Sequence, residues 1–311
     1  MREKTVLVTG GTSGIGLSIG VYLKYLGYKT YITSRNPENY SSEGLKQTFL
    51  EQNNNKIPKK IRNNLDEIID EIILIKLDIE DSQSIDECVS QIQSKSEVID
   101  VLINNVGFSN FSSIEENPHS VIDSMFNTNV IGPIKLIQAV LPKMREFNSG
   151  RIINITSMAG YQALPFMGIY AATKSAMMRL SEALRLECSQ FDIKISSLVL
   201  GTFNTKFNSN MLSMNNSNSK KSGDKLDTKN LVAPNSPYST LARKVWDFTD
   251  RFFSSGSNPI KAAKKTAKIL KKENPKIHYN YGKFDESVLN TLRKYGSTQF
   301  FLNLLDWMFS N

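Results

Sequence analysis

A short apolar run at residues 5–9 leads directly into Thr9-Gly10-Gly11-Thr12-Ser13-Gly14-Ile15-Gly16, and a helical pattern starts at once. Strand, glycine-rich turn and helix, in that order, constrain this chain more than any other stretch. The glycines let the backbone approach a pyrophosphate and let the helix pack close to a sheet. The helix start offers unpaired N–H groups and partial positive charge to an anion. Gly10, Thr12, Ser13, Gly14, Ile15 and Gly16 are therefore candidate phosphate-contacting residues. Glycine alone marks any tight turn, so the order of the elements carries the assignment.

The pattern continues. Apolar runs at 30–33, 72–77, 101–104, 151–156 and 194–200 alternate with helical stretches near 15–26, 82–94, 118–147 and 169–189. The runs are apolar throughout, as strands of a parallel sheet covered on both faces are. The expected fold class is α/β: a doubly wound, Rossmann-like parallel sheet with helices on both faces and a helical C-terminal substrate region. Ligands in such sheets sit beyond the carboxyl ends of the strands. The link over 36–71 is long for this architecture, and reads as one helix followed by a polar surface insert around 53–64. Residues 208–230, rich in Asn, Ser, Lys and Asp, read as mobile. Helices near 240–253 and 259–272, a short strand at 277–281 and an apolar helix at 298–309 follow. The expected organisation is a dinucleotide-binding and catalytic core over 1–206, a flexible substrate loop over 207–234 and a helical lid over 235–311 in the same domain.

With 311 residues, 40% of them hydrophobic, the chain can build one large core. Cys88 and Cys188 are too few for a disulfide framework and point to a reduced, cytoplasmic setting. His119 and His278 are isolated, so no metal is expected. The first strand begins too early for a signal peptide, and no apolar run spans a bilayer. The net charge of +8 comes largely from lysines near 220 and at 260–276. Solubility, an anionic cofactor and anionic lipid all suit such a balance. Nucleic acid is not an expected partner, because no binding module or interleaved aromatics accompany the lysines.

Tyr170-Ala171-Ala172-Thr173-Lys174 opens a long helical pattern. A spacing of four places Tyr170 and Lys174 on one face, a turn apart. A phenol titrates near pH 10, and a neighbouring ammonium lowers that value. Reducing a carbonyl needs a proton donor at its oxygen, and the reverse oxidation needs the same group as a base. Ser157 ends the preceding apolar run and is placed to hydrogen-bond the same oxygen. After the second run comes Thr33-Ser34-Arg35-Asn36. NAD-selective folds carry an acid here for the ribose 2′-hydroxyl. Ser34 and Arg35 instead suit a 2′-phosphate, which favours NADP(H) over NAD(H).

Over residues 4 to about 206 the sequence resembles the short-chain dehydrogenases/reductases. Their glycine motif matches Thr9 to Gly16, and their Asn-Asn-Ala-Gly motif appears as Asn104-Asn105-Val106-Gly107. Their catalytic asparagine falls on Asn129, their serine on Ser157 and their tyrosine–lysine pair on Tyr170 and Lys174. The resemblance implies that Tyr170 is the acid/base and that Lys174 lowers its pKa and holds the nicotinamide ribose. It implies that Ser157 orients the carbonyl and that Asn129 holds a water in a proton relay. Asp78 and Ile79 then lie by the adenine, and Asn105, Val106 and Gly107 line the adenosine side. The family's Pro-Gly after the sixth strand is Leu200-Gly201 here, followed by Thr202 and by Thr205, which matches the carboxamide-binding position. Without the proline's fixed φ, a looser nicotinamide site is expected.

Residues 149–172 and the Ser-Arg pair resemble 17β-hydroxysteroid and retinol dehydrogenases in particular. That likeness implies a steroid, retinoid or lipid-like alcohol or ketone, met by Ser157, Met158, Tyr170 and Phe203, with Leu164 and Met167 facing the same cleft. Phe203, Phe207, Met211, Leu212 and Met214 either line an apolar pocket or serve core and loop packing. It also implies a homodimer or homotetramer built through the helices near 118–147 and 169–189. The terminal helix places Phe300, Phe301, Leu304, Leu305 and Met308 on one stripe. Core, substrate lid and peripheral membrane contact all remain open readings of that stripe, the last supported by six lysines between Lys261 and Lys272. A non-catalytic, NADP(H)-binding regulatory protein is the competing reading of the whole.

Overall fold

The computed structural model describes residues 2–53, 56–162, 164–207, 211, 232, 235–283 and 296–310. Among these, seven strands form one sheet: β1 (Thr5–Val8), β2 (Lys29–Ser34), β3 (Ile73–Lys76), β4 (Val101–Asn104), β5 (Gly150–Ser157), β6 (Ile193–Leu200) and β7 (His278–Tyr281). They are ordered β3-β2-β1-β4-β5-β6-β7 and every pairing is parallel. The winding direction reverses between β1 and β4, which opens a crevice at their carboxyl ends.

Side chains alternate across the sheet. Val6, Val8, Ile32, Val101, Ile103 and Leu198 pack on one face, beneath α1 (Gly14–Tyr25), α2 (Ser42–Asn53) and α10 (Pro259–Leu270). Leu7, Tyr31, Leu102, Ile152 and Ile195 pack on the other, beneath α5 (Ser82–Gln93) and α7 (Gly132–Glu146). Burying both faces explains why the strands read as unbroken apolar runs. A third apolar group joins Phe111 and Phe166 to α9 (Ser239–Ser254) and α11 (Thr298–Ser310) through Trp246, Phe301, Leu305 and Phe309.

The insert at 53–64 is not a polar surface feature. It leads through α3 (Lys59–Asn63) into α4 (Leu65–Asp70), and Ile57, Ile61, Leu65, Ile68 and Ile69 all enter the core. Their spacing of three to four is a helical stripe, hidden among lysines and asparagines. Asn53 is wholly buried: its Nδ2 donates to Ser18 Oγ (3.1 Å) and Phe49 O (3.0 Å), and its Oδ1 accepts from the Ile260 N–H (2.9 Å). Expectations that rest on Leu212, Met214 and most of 207–234 lie outside the described residues.

The helix expected over 118–147 is α6 (His119–Phe126) and α7, joined without a break by a π-type turn over Asn127–Ile131. Such turns commonly sit at functional sites, and this one carries Asn129. α8 (Gly168–Glu187) runs from the end of the Ser157 loop.

Candidate active site

The crevice is a cavity of about 500 Å³. Its wall includes Gly10, Thr12, Ser13, Gly14 and Ile15 at the amino-terminal loop, Arg35 after β2, then Asn105, Val106 and Gly107 after β4. Ser157, Met158, Tyr170 and Lys174 line its middle, and Leu200, Gly201, Thr202, Phe203 and Thr205 follow from β6. Gly16, Ser34, Asp78, Ile79 and Asn129 stand back from this wall.

The standing-back residues shape the wall. Gly16 packs so tightly that an added Cβ would lie 2.2 Å from the Gly10 carbonyl oxygen. Gly14 has φ +57°, a conformation glycine adopts without steric cost. Thr9 Oγ accepts from the N–H groups of Asn105 (2.9 Å) and Val106 (3.0 Å). Asn105 Nδ2 donates back to the carbonyls of Thr9 (2.8 Å) and Gly10 (3.1 Å). These bonds clamp the glycine loop to β4. Gln52, far away in sequence, clamps it to α2: its Oε1 accepts from Gly14 N–H (2.7 Å) and its Nε2 donates to Gly14 O (3.0 Å). Asp78 Oδ1 accepts from the Glu80 N–H, and the buried Ile79 packs against Gly132. Ser34 Oγ accepts from the Asn36 N–H.

The loop fits a dinucleotide phosphate. First-turn amides of a helix have no partner inside the helix. Ser13 is extended at the N-cap and its side chain caps none of them. Gly14 is held by Gln52, which leaves the amide of Ile15, a cavity-wall residue, for an anion. No acid lies in that first turn, and Arg35 adds positive charge to the same wall.

Tyr170 and Lys174, one turn apart on α8, are 7% and 6% exposed. Lys174 Nζ lies 5.6 Å from the centre of the Tyr170 ring and donates to Ile155 O (3.3 Å). The Ser157 side chain lies beside the Tyr170 phenol, and Phe207 packs against its ring at 5.9 Å. Burial pushes the Tyr170 phenol up to about 12, with Ser157 acting the other way. The expected depression by Lys174 is not among the causes: burial sets the direction and only Ser157 opposes it. The same burial brings the Lys174 ammonium down to about 8. The pair therefore holds both protons at neutral pH.

Keeping that ammonium buried costs stability. Its folded value of about 8 lies below the ordinary 10.5, so the unfolded chain binds the proton more tightly. Lys174→Met is expected to raise stability at pH 7 by up to about 3 kcal/mol. The gain is complete below about pH 8, shrinks as pH rises and vanishes above about 10.5. Urea unfolding at pH 7 and pH 10.5 measures the difference.

Asn129 is 2% exposed and its amide is fully committed. Its Oδ1 accepts from Phe108 N–H (3.0 Å), and its Nδ2 donates to Phe108 O (2.9 Å) and Thr173 Oγ (3.1 Å). Both amide hydrogens bind protein, so the side chain braces the loop around Gly107 rather than facing the cavity.

The segment after β6 is not loose. Gly201 N–H donates to Tyr281 O (2.9 Å), Ser257 N–H to Thr202 O (2.8 Å) and Asn204 N–H to Ser257 O (2.9 Å). These bonds to β7 and to the turn before α10 hold the backbone that proline stiffens elsewhere.

The far end of the cavity is apolar: Leu164, Met167, Met211, Phe248, Phe301 and Leu305. Phe301 and Leu305 make α11 both core and cavity wall. Phe300 departs from the expected stripe and is 55% exposed. The lysine-rich α10 packs against α1 and α2, whereas α11 packs on α9. Lys265 lies over the rings of Tyr279 (5.5 Å) and Tyr281 (6.0 Å).

Comparison with known proteins decides the family, because a model for short chain dehydrogenases matches residues 4–216. The chain belongs to the short-chain dehydrogenase family. A 3-ketodihydrosphingosine reductase of Bacteroides thetaiotaomicron is 28% identical over 91% of this chain and 89% of that protein. Human retinol dehydrogenase 8 is 30% identical over 67% of this chain and 62% of its own length. Among solved structures, a short-chain dehydrogenase from Streptomyces avermitilis superposes with a TM-score of 0.71 at 25% identity, covering 99% of this chain and 96% of that one. An actinorhodin polyketide ketoreductase with NADPH shares the fold (TM-score 0.66, 21% identity, 90% of this chain and 95% of that one). As a member of this family of oxidoreductases the protein is an enzyme by descent.

Sequence reasoning missed two kinds of residue. Gln52 carries no local signal, since its contact with Gly14 spans 38 positions. Phe248 sits on a helix whose register was legible but whose docking was not. Among the described residues no group of His, Cys, Asp and Glu is arranged to hold a metal ion, and no helix is long and apolar enough to cross a membrane.

Proposed function

We propose that this short-chain dehydrogenase uses NADP(H) to interconvert an alcohol and a ketone or aldehyde on an apolar, steroid-, retinoid- or lipid-like substrate. One observation carries the reading: the same cavity joins an anion-binding loop with Arg35, a buried Ser157–Tyr170–Lys174 cluster and an apolar far wall. A reduced nicotinamide, when bound, supplies the hydride. Tyr170, kept protonated by burial, donates its proton to the carbonyl oxygen. Ser157 hydrogen-bonds that oxygen, and Lys174 supplies positive charge beside the phenol as it loses its proton. The phosphate loop and Arg35 hold the cofactor. Met158 and Phe203 flank the substrate. The names of the two relatives, a retinol dehydrogenase and a 3-ketodihydrosphingosine reductase, agree with an alcohol–carbonyl pair on a retinoid or lipid.

Two associations complete the proposal. Leu180 and Leu186 on α8 and Ile131 before α7 are exposed, and they fit a homodimer or homotetramer formed through these helices. Phe300, Leu302 and Trp307 of α11 are also exposed, which suits peripheral membrane contact.

The test is NADPH oxidation by the purified protein against steroid, retinoid and long-chain ketones. At least one apolar ketone is expected to accelerate it well above the rate without substrate. NADPH binding with no acceleration by any of them would favour the non-catalytic reading.

A further inference from the structure

Two residues on the cavity wall carry buried polar atoms without a hydrogen-bond partner among the described residues: Thr156 through its Oγ and Gln162 through its Oε1. The two are not equivalent. A hydroxyl is both donor and acceptor and rotates to suit its surroundings, whereas an amide oxygen only accepts. Thr156 also lies within β5. Gln162 lies on the turn between Ser157 and Tyr170, and its neighbours on the cavity wall include Met158, Leu164 and Met167. A buried acceptor in such a setting is unfavourable unless something donates to it.

We propose that Gln162 is a specificity-determining residue whose carbonyl oxygen accepts a hydrogen bond from a hydroxyl or amino group on the substrate. This rests on the oxidoreductase reading and narrows it. The preferred substrate is not any apolar ketone but one that carries a second, donating group near the reacting carbonyl, with the apolar chain running toward Phe301 and Leu305. A site built to bind a donor discriminates against the analogue that lacks it, because the acceptor is then left unpaired.

A matched set tests this: an alkyl methyl ketone and its hydroxymethyl and aminomethyl counterparts of equal chain length. Wild-type kcat/KM is expected to favour at least one polar ketone over the plain one by about tenfold. Gln162→Leu should bring that ratio to within about twofold of unity, while Gln162→Glu, which keeps an acceptor, should retain the preference. The ratio cancels any general effect of the substitution on folding. Binding of the same ketones to the Tyr170→Phe protein with NADPH, followed by quenching of cofactor fluorescence, reads the preference without turnover. Equal treatment of all three ketones by the wild type, or a preference that survives Gln162→Leu, overturns the inference. A binding preference that Gln162→Leu removes, in a protein that reduces none of the ketones, supports the recognition role and instead sinks the oxidoreductase reading.

Discussion

Tyr170→Phe is expected to lower turnover of an apolar ketone by about a hundred- to ten-thousandfold, while NADPH affinity stays within about twofold. The substitution removes one hydroxyl and keeps the ring that packs against Phe207. Its effect therefore falls on proton transfer rather than on the cavity. The phenol sits on the wall beside both Ser157 and a buried ammonium. With its pKa raised to about 12 it remains a proton donor across the physiological range, which suits reduction. The same account fixes the alkaline limb. Lys174 titrates at about 8, so kcat/KM for reduction should be flat near pH 7 and fall as the ammonium loses its proton above that value. Steady-state kinetics of both proteins across pH 6–10 checks both points. A Tyr170→Phe protein with unaltered turnover would remove the acid/base assignment.

Arg35→Ala should weaken NADPH by about ten- to a hundredfold and leave NADH nearly unchanged. Arg35 lies on the cavity wall directly after β2, at the position where an NAD-selective fold places an acid. A guanidinium there meets a 2′-phosphate with charge-assisted, two-pronged geometry and has nothing equivalent to offer a hydroxyl. Arg35 is exposed, so the difference should narrow as salt rises. Titrating both cofactors at low and at moderate salt separates this role from a general one. Equal loss for NADPH and NADH would count against a phosphate contact.

Much of this was legible from residue order. The strand–glycine–helix opening and the apolar runs give the sheet, because a parallel sheet buried on both faces leaves little freedom in strand composition. Tyr170 and Lys174 meet because four residues make about one helical turn. Three things were not legible. Asn53 and its apolar followers look like a polar insert by composition, yet their helical spacing drives Ile57 and Ile61 into the core. The pKa of Tyr170 depends on how far the phenol is desolvated, which packing sets and local sequence does not. The tightness of the segment after Leu200 comes from Tyr281 and Ser257, partners too distant in sequence to pair by eye.

The central claim is that hydride and proton meet one carbonyl beside Tyr170. The most direct measurement uses NADPH deuterated at the transferable position of its nicotinamide, with mass spectrometry of the alcohol formed from an apolar ketone. One deuterium on the carbinol carbon for each NADPH consumed, with at least about a hundredfold less labelled alcohol formed by Tyr170→Phe in the same time, is the predicted result. Consumption of NADPH that places no deuterium in the product, or label transfer that is indifferent to Tyr170, would contradict it.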